Sequence, residues 1–138
     1  MDFEWYFSDF SRASSAAIMA LIFVGLVLRR NRKLHPPIML GCFGLDVALL
    51  LHIEFSRDAI ETSFDKISPL LGVHIILALI MLAGYGFLTQ TGFKILKTED
   101  PATAAGLRKR HGIGAGIFVL TRIAVMVTAV MVALEVNA

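Results

Sequence analysis

Four apolar stretches, each about 20 residues long and separated by short charged connections, constrain this chain more than any other feature. A helix rises about 1.5 Å per residue, so about 20 mostly apolar residues cross a hydrocarbon core roughly 30 Å thick. The stretches run from about Phe10 to Leu28, Pro37 to Phe55, Ile67 to Thr89 and Gly112 to Leu134. Together they take up most of the 138 residues, leaving little chain for a soluble domain. Apolar side chains make up 57% of the sequence and charged ones 17%, a balance that soluble domains of this size seldom show. No period-two alternation suggests a strand. The expected fold is therefore all-α: an integral membrane four-helix bundle, up-down-up-down, forming a single domain over residues 1–138. Short connections make consecutive helices antiparallel and put helices one and three, and two and four, on diagonals.

The cations give the orientation, because short loops rich in Lys and Arg stay in the cytoplasm. Arg29, Arg30, Arg32 and Lys33 follow the first stretch, and Lys94, Lys97, Arg108, Lys109 and Arg110 precede the fourth. The second connection is acid-rich, with Glu54, Asp58, Glu61 and Asp65 against Arg57 and Lys66. Both basic connections are expected inside a cytoplasmic membrane, with the acidic one and both termini outside. The first stretch has acidic residues before it (Asp2, Glu4, Asp9) and basic ones after it, the reverse of a signal peptide, so it is read as an anchor. The bilayer itself is the first expected partner. The basic residues report topology and lipid-surface contact rather than nucleic acid. Phe3, Trp5, Tyr6, Phe7 and Phe10 form an interfacial aromatic anchor.

Local signals sharpen the helix ends. Pro36 and Pro37 stand where a helix can begin, and Ser68 before Pro69 starts the third helix in the same way. Pro101, inside the polar run from Lys97 to Ala104, reads as a loop.

Chemistry is concentrated in four histidines and two intramembrane charges. Arg32-Lys33-Leu34-His35 precedes the second helix and Arg108-Lys109-Arg110-His111 the fourth. Eleven residues after each histidine stands an ionisable group, Asp46 and Arg122. At about 100° per residue, eleven steps return to within about 20° of the starting direction, so each histidine shares a helix face with its charge. Both helices run from inside to outside, which puts Asp46 and Arg122 at equal depth and makes them an expected ion pair. An unpaired charge at mid-bilayer costs about 2.5–3.5 kcal/mol on insertion scales. That pair sets helix register, or it serves a proton-linked or cofactor-tuning role.

If Asp46 meets Arg122, the faces bearing His35 and His111 turn toward each other too. His52, seventeen residues after His35, points about 100° away and is level with His74 near the outer start of the third helix. The histidines thus sort into an inner pair, His35 with His111, and an outer pair, His52 with His74. Two imidazoles on facing helices hold a haem iron from both sides, so haem b is the expected cofactor. Gly41, Gly44, Gly84, Gly86, Gly112, Gly114 and Gly116 supply room for a porphyrin, or simply allow close helix packing. Arg32, Lys33, Arg108 and Arg110 neutralise propionates, or only mark the cytoplasmic side.

Copper is the alternative. His52 and His74 with Glu54 form a candidate metal set, with Asp58, Glu61 and Glu135 nearby in the sequence pattern. The single cysteine, Cys42, excludes an internal disulfide and any CxxC motif, and reads as a buried small hydrophobe before it reads as a soft ligand. Tyr85, eleven residues after His74, shares its face as a packing residue first and a cofactor hydrogen-bond partner second. No catalytic residue set is visible: there is no P-loop, no GxGxxG, and no nucleophile with a base at motif spacing. A carrier or assembly factor is expected rather than an enzyme. A single histidine at a membrane interface is ordinarily a boundary residue, so the rival reading is a cofactor-free accessory subunit of a larger membrane complex. Proton-coupled transport lacks the broken helices and inverted repeat that mark it.

The run His35-Pro36-Pro37-Ile38-Met39-Leu40, then His52, then Leu70-Leu71-Gly72-Val73-His74-Ile75-Ile76-Leu77-Ala78, then Arg110-His111, resembles the CtaM/YozB-type family of small four-helix membrane proteins. The resemblance covers about residues 33 to 134. His35 to Met39 matches the family's H-x-x-x-M opening and His74 to Ala78 its H-I-I-L-A-like run. Pro36-Pro37 stands where a basic pair is common, and the residues after His111 match poorly. Some members are linked to maturation of haem-copper terminal oxidases. The resemblance therefore implies histidines at corresponding places and a respiratory oxidase as partner, in electron transport or cytochrome oxidase assembly.

Overall fold

A computed structural model describes the backbone of residues 3–57 and 68–136 and the side chains of 9–53, 55 and 68–135. Four helices account for nearly all of it: α1 (Phe3–Val27), α2 (His35–Arg57), α3 (Pro69–Lys97) and α4 (Pro101–Val136). No strand occurs among the described residues, and the chain is all-α. All four helices are long and apolar enough to cross a membrane. The helices fall into two compact units, Met1–Lys66 and Ile67–Ala138, each an α-hairpin.

In the first hairpin, α1 and α2 run antiparallel: Phe10 near one end of α1 meets His52, and Gly25 near the other end meets Ile38 and Met39. Ile18, Met19 and Ile22 of α1 are buried, as are Cys42 and Asp46 of α2. The three- and four-residue spacing of Ile18, Met19 and Ile22 lines one helix face. The turn between the helices is closed by Asn31, whose side-chain oxygen accepts from the amides of Lys33 and Leu34 at 3.0 and 3.1 Å.

The second hairpin keeps one register along its whole length. Ser68 meets Glu135, His74 meets Thr128, Tyr85 meets Phe118 and Thr91 meets His111. Partners that advance along α3 retreat along α4, so the helices are antiparallel neighbours. Ser68 caps α3 by accepting from the Leu71 amide at 3.1 Å, and its hydroxyl donates to Glu135 at 2.7 Å, which ties the cap to the far end of α4. The Tyr85 and Phe118 rings pack with centroids 4.5 Å apart. Outward faces stay apolar: Ile76, Leu79, Ile113, Ile117 and Leu120 are all exposed, as expected of helices solvated by lipid.

Two helix ends depart from the sequence expectation. The third helix continues past Thr89 to Lys97, and the fourth begins at Pro101 rather than near Gly112. Pro101 is therefore the first residue of a helix and not part of a long loop. Asp100 is the reason: its carboxylate accepts from the Thr103 amide at 2.8 Å and from the Thr103 hydroxyl, while proline at the first position lacks only a donor the helix has no use for. The Thr103 hydroxyl and amide hold the Asp100 carboxyl below the usual carboxylate range. At the other end, Lys94 and Lys97 in the last turn of α3 suit the negative end of its dipole. The polar run that reads as a loop is thus mostly helix, and Arg108, Lys109 and Arg110 lie on α4.

Glycines divide into packing and open positions. A Cβ on Gly114 would stand 2.6 Å from Phe87 Cε1, and one on Gly84 would stand 3.2 Å from Phe118 Cδ2. Both are close-packing glycines of the α3–α4 seam. A Cβ on Gly116 meets nothing within 4 Å. Gly114→Val is therefore expected to destabilise the protein by about 1–3 kcal/mol through overpacking. Gly116→Ala should cost nothing or gain slightly, since Ala is the better helix former. Thermal unfolding in detergent checks this, and equal shifts for the two variants would refute the seam.

Candidate histidine sites

Each hairpin holds two histidines and presents one near each end. In the first, His35 opens α2 and its Nδ1 lies 2.7 Å from the backbone carbonyl of Gly25 on α1. A carbonyl only accepts, so Nδ1 carries the proton and donates. In the neutral ring the lone pair is then on Nε2. His52 lies near the other end of α2, with its ring edge-on to Phe10 at a centroid distance of 5.6 Å. Both histidines of this hairpin thus contact α1, a helix the sequence spacing did not assign to either.

In the second hairpin, His74 on α3 places Nδ1 2.8 Å from Thr128 Oγ1 on α4. His111 on α4 places Nδ1 2.8 Å from Thr91 Oγ1 on α3. The expectation that His74 and Tyr85 share a face holds, since both turn toward α4. Gly92 leaves room beside His111, whose Cε1 lies 3.5 Å from the position of an added Cβ. His111 stands well inside α4, whereas His35 stands at the very start of α2, so the echo between the two basic-His runs is a loop in one case and a helix in the other.

Three histidines therefore engage through Nδ1, the nitrogen that metal-bound histidines commonly use for a second hydrogen bond while Nε2 binds the metal. That donor chemistry fits an iron or copper ligand. Among the described residues no three His, Cys, Asp or Glu side chains converge on one point. An all-protein cage of that kind is absent there, while a haem, which takes one imidazole on each face, does not require one.

Asp46 and Arg122 are both buried, at 5% and 2% exposure, each in its own hairpin. Cys42 is 1% exposed on α2, as a small buried hydrophobe would be. Glu135 holds the Ser68 cap. The side chains of Glu54, Arg57, Asp58, Glu61, Asp65 and Lys66, and those of Phe3, Trp5, Tyr6 and Phe7, lie outside the described residues. Gly41, Gly44, Gly86, Gly112 and Gly116 have no described atom within 4 Å of an added Cβ, in contrast to the packing glycines Gly84 and Gly114.

Thr91 and Thr128 are the histidine partners that sequence reasoning missed. A signal was present: each follows a histidine of its own helix by seventeen residues, His74 to Thr91 and His111 to Thr128. Compared with known proteins, the chain matches no family model, no curated protein and no solved structure.

Proposed function

We propose that this multi-pass membrane protein lies in the cytoplasmic membrane with both termini outside, holds haem b through its histidines, and serves respiratory electron transfer or terminal-oxidase assembly. The observation that carries the reading is the use of Nδ1 by His35, His74 and His111. The His35 Nδ1 proton, given to the Gly25 carbonyl, orients the ring and raises the basicity of Nε2. Haem, when bound, supplies a one-electron iron couple whose potential depends on its axial ligands and their hydrogen bonds. On the sequence spacing, His35 and His111 are the proposed inner ligands and His52 and His74 the outer ones. The proposed role in oxidase maturation rests on the resemblance to the CtaM/YozB-type family. The orientation rests on the basic residues around the α1–α2 and α3–α4 connections.

The cofactor-free accessory subunit has one observation in its favour. Gly84 and Gly114 are used for helix packing, so not every glycine is reserved for a ligand. An absorption spectrum of the detergent-purified protein, oxidised and then reduced, with parallel metal analysis, separates the readings. A Soret band that shifts on reduction supports haem. Copper without a Soret band supports the alternative set of His52, His74 and Glu54, and neither signal supports the accessory subunit.

A further inference from the structure

The α3–α4 hairpin is built twice from one pattern. Seven, eleven, fourteen and seventeen residues after His74 stand Met81, Tyr85, Leu88 and Thr91, all buried. The same steps after His111 reach Phe118, Arg122, Val125 and Thr128, of which the first three are buried and the last half-buried. Steps of seven keep residues in the seam between two packed helices. Because the two helices are antiparallel, the histidine that begins each stripe meets the threonine that ends the other.

The threonine hydroxyls have their own protons already placed. Thr91 Oγ1 lies 2.9 Å from the Phe87 carbonyl and 3.2 Å from that of Leu88. Thr128 Oγ1 lies 2.8 Å from the Ala124 carbonyl and 3.1 Å from that of Val125. A hydroxyl has one proton to donate and lone pairs to accept with. With that proton directed into its own helix, as back-bonding threonines do, the remaining contact to the histidine Nδ1 is one in which the ring donates.

We infer that Thr91 and Thr128 are positioning residues that fix His111 and His74 with the proton on Nδ1, so that in each neutral ring the lone pair is on Nε2, the nitrogen that a metal centre such as haem iron would take. The inference rests on the histidine-ligand reading above but goes beyond it, since it names what sets the ligand nitrogen. It also separates these two histidines from His35, whose Nδ1 is held by a backbone carbonyl. A side-chain acceptor can be removed by substitution and a carbonyl cannot, so His111 with Thr91 is the cleaner case; His74 also has the Val125 carbonyl as a backbone partner.

The test is nitrogen-15 NMR of histidine-labelled, cofactor-free full-length protein in lipid nanodiscs, at a pH where imidazole is neutral. His74 and His111 should both show protonated Nδ1. Thr91→Val keeps the side-chain shape and removes the acceptor, so His111 should move to the Nε2-protonated form that free histidine prefers while His74 stays unchanged. Thr128→Val should shift His74 in the same direction but less far, because the Val125 carbonyl remains, with His111 unchanged, and Thr91→Ser and Thr128→Ser should leave both rings as in the parent. Added haemin should bind about 10–100-fold more weakly to each valine variant and near normally to each serine variant. Unchanged His111 protonation in Thr91→Val overturns the inference, and so does a serine variant that behaves like valine. The NMR readout needs no bound cofactor, so its failure is distinct from failure of the haem spectrum.

Discussion

Changing His111 to Ala is expected to empty the proposed inner site to the same extent as changing His35 to Ala, with less than about a tenth of the parent's inner-site occupancy retained in both. Losing a ligand should cost at least as much as losing the hydrogen bond behind one, which commonly costs about 10–100-fold in metal affinity. In the proposed bis-imidazole ligation no other histidine replaces the one lost. His52→Ala and His74→Ala should match each other and spare the inner site, because seventeen helical residues, about 25 Å of rise, separate His35 from His52. The check is cofactor content per protein after purification under one protocol, which should fall by the inner site's share alone in His35→Ala and His111→Ala and by the outer site's share alone in His52→Ala and His74→Ala. If all four single variants keep full cofactor, the histidines are interfacial bystanders and the accessory-subunit reading stands. If His35 falls together with His52 while His111 is indifferent, the proposed pairing is wrong.

The second large effect concerns the intramembrane charges. Asp46 and Arg122 are each almost wholly buried, and the sequence spacing proposes them as a pair. Replacing Asp46 with Asn is expected to lower stability by about 3–5 kcal/mol, because removing one partner leaves the other charge uncompensated in a low dielectric. The double variant Asp46→Asn with Arg122→Gln should recover much of that loss. A thermodynamic cycle from unfolding in detergent measures the coupling, and losses that simply add mean that the two residues do not interact.

The four spans and the antiparallel order within each hairpin are legible in the sequence, because apolar length and short connections leave few alternatives. The ends of α3 and α4 are less so. Hydropathy marks the length that lipid solvates, while a helix goes on into water for as long as its backbone bonds and caps allow. Lys94 and Lys97 look like loop residues by charge yet suit a helix C-terminus. Pro101 looks like a breaker yet begins a helix once Asp100 caps it.

The histidines are found from sequence and their immediate partners are not. Gly25 acts through its carbonyl, which every residue has, so nothing in the sequence distinguishes it as an acceptor. Thr91 and Thr128 sit in apolar surroundings where threonine passes for a small β-branched filler. Only the seventeen-residue step from a histidine, seen on both α3 and α4, singles them out, and its meaning depends on the register between the two helices. Tyr85 is placed correctly on the His74 face because a periodic argument within one helix needs no knowledge of its neighbours.

Electron paramagnetic resonance of the oxidised, detergent-purified protein tests the central claim most directly, because it reports the ligands as well as the metal. Haem held by two imidazoles should give a low-spin ferric signal whose inner-site component is lost together in the His35→Ala and His111→Ala variants. A cupric signal with nitrogen hyperfine structure, or no signal from a sample that metal analysis shows to be free of iron, would contradict it.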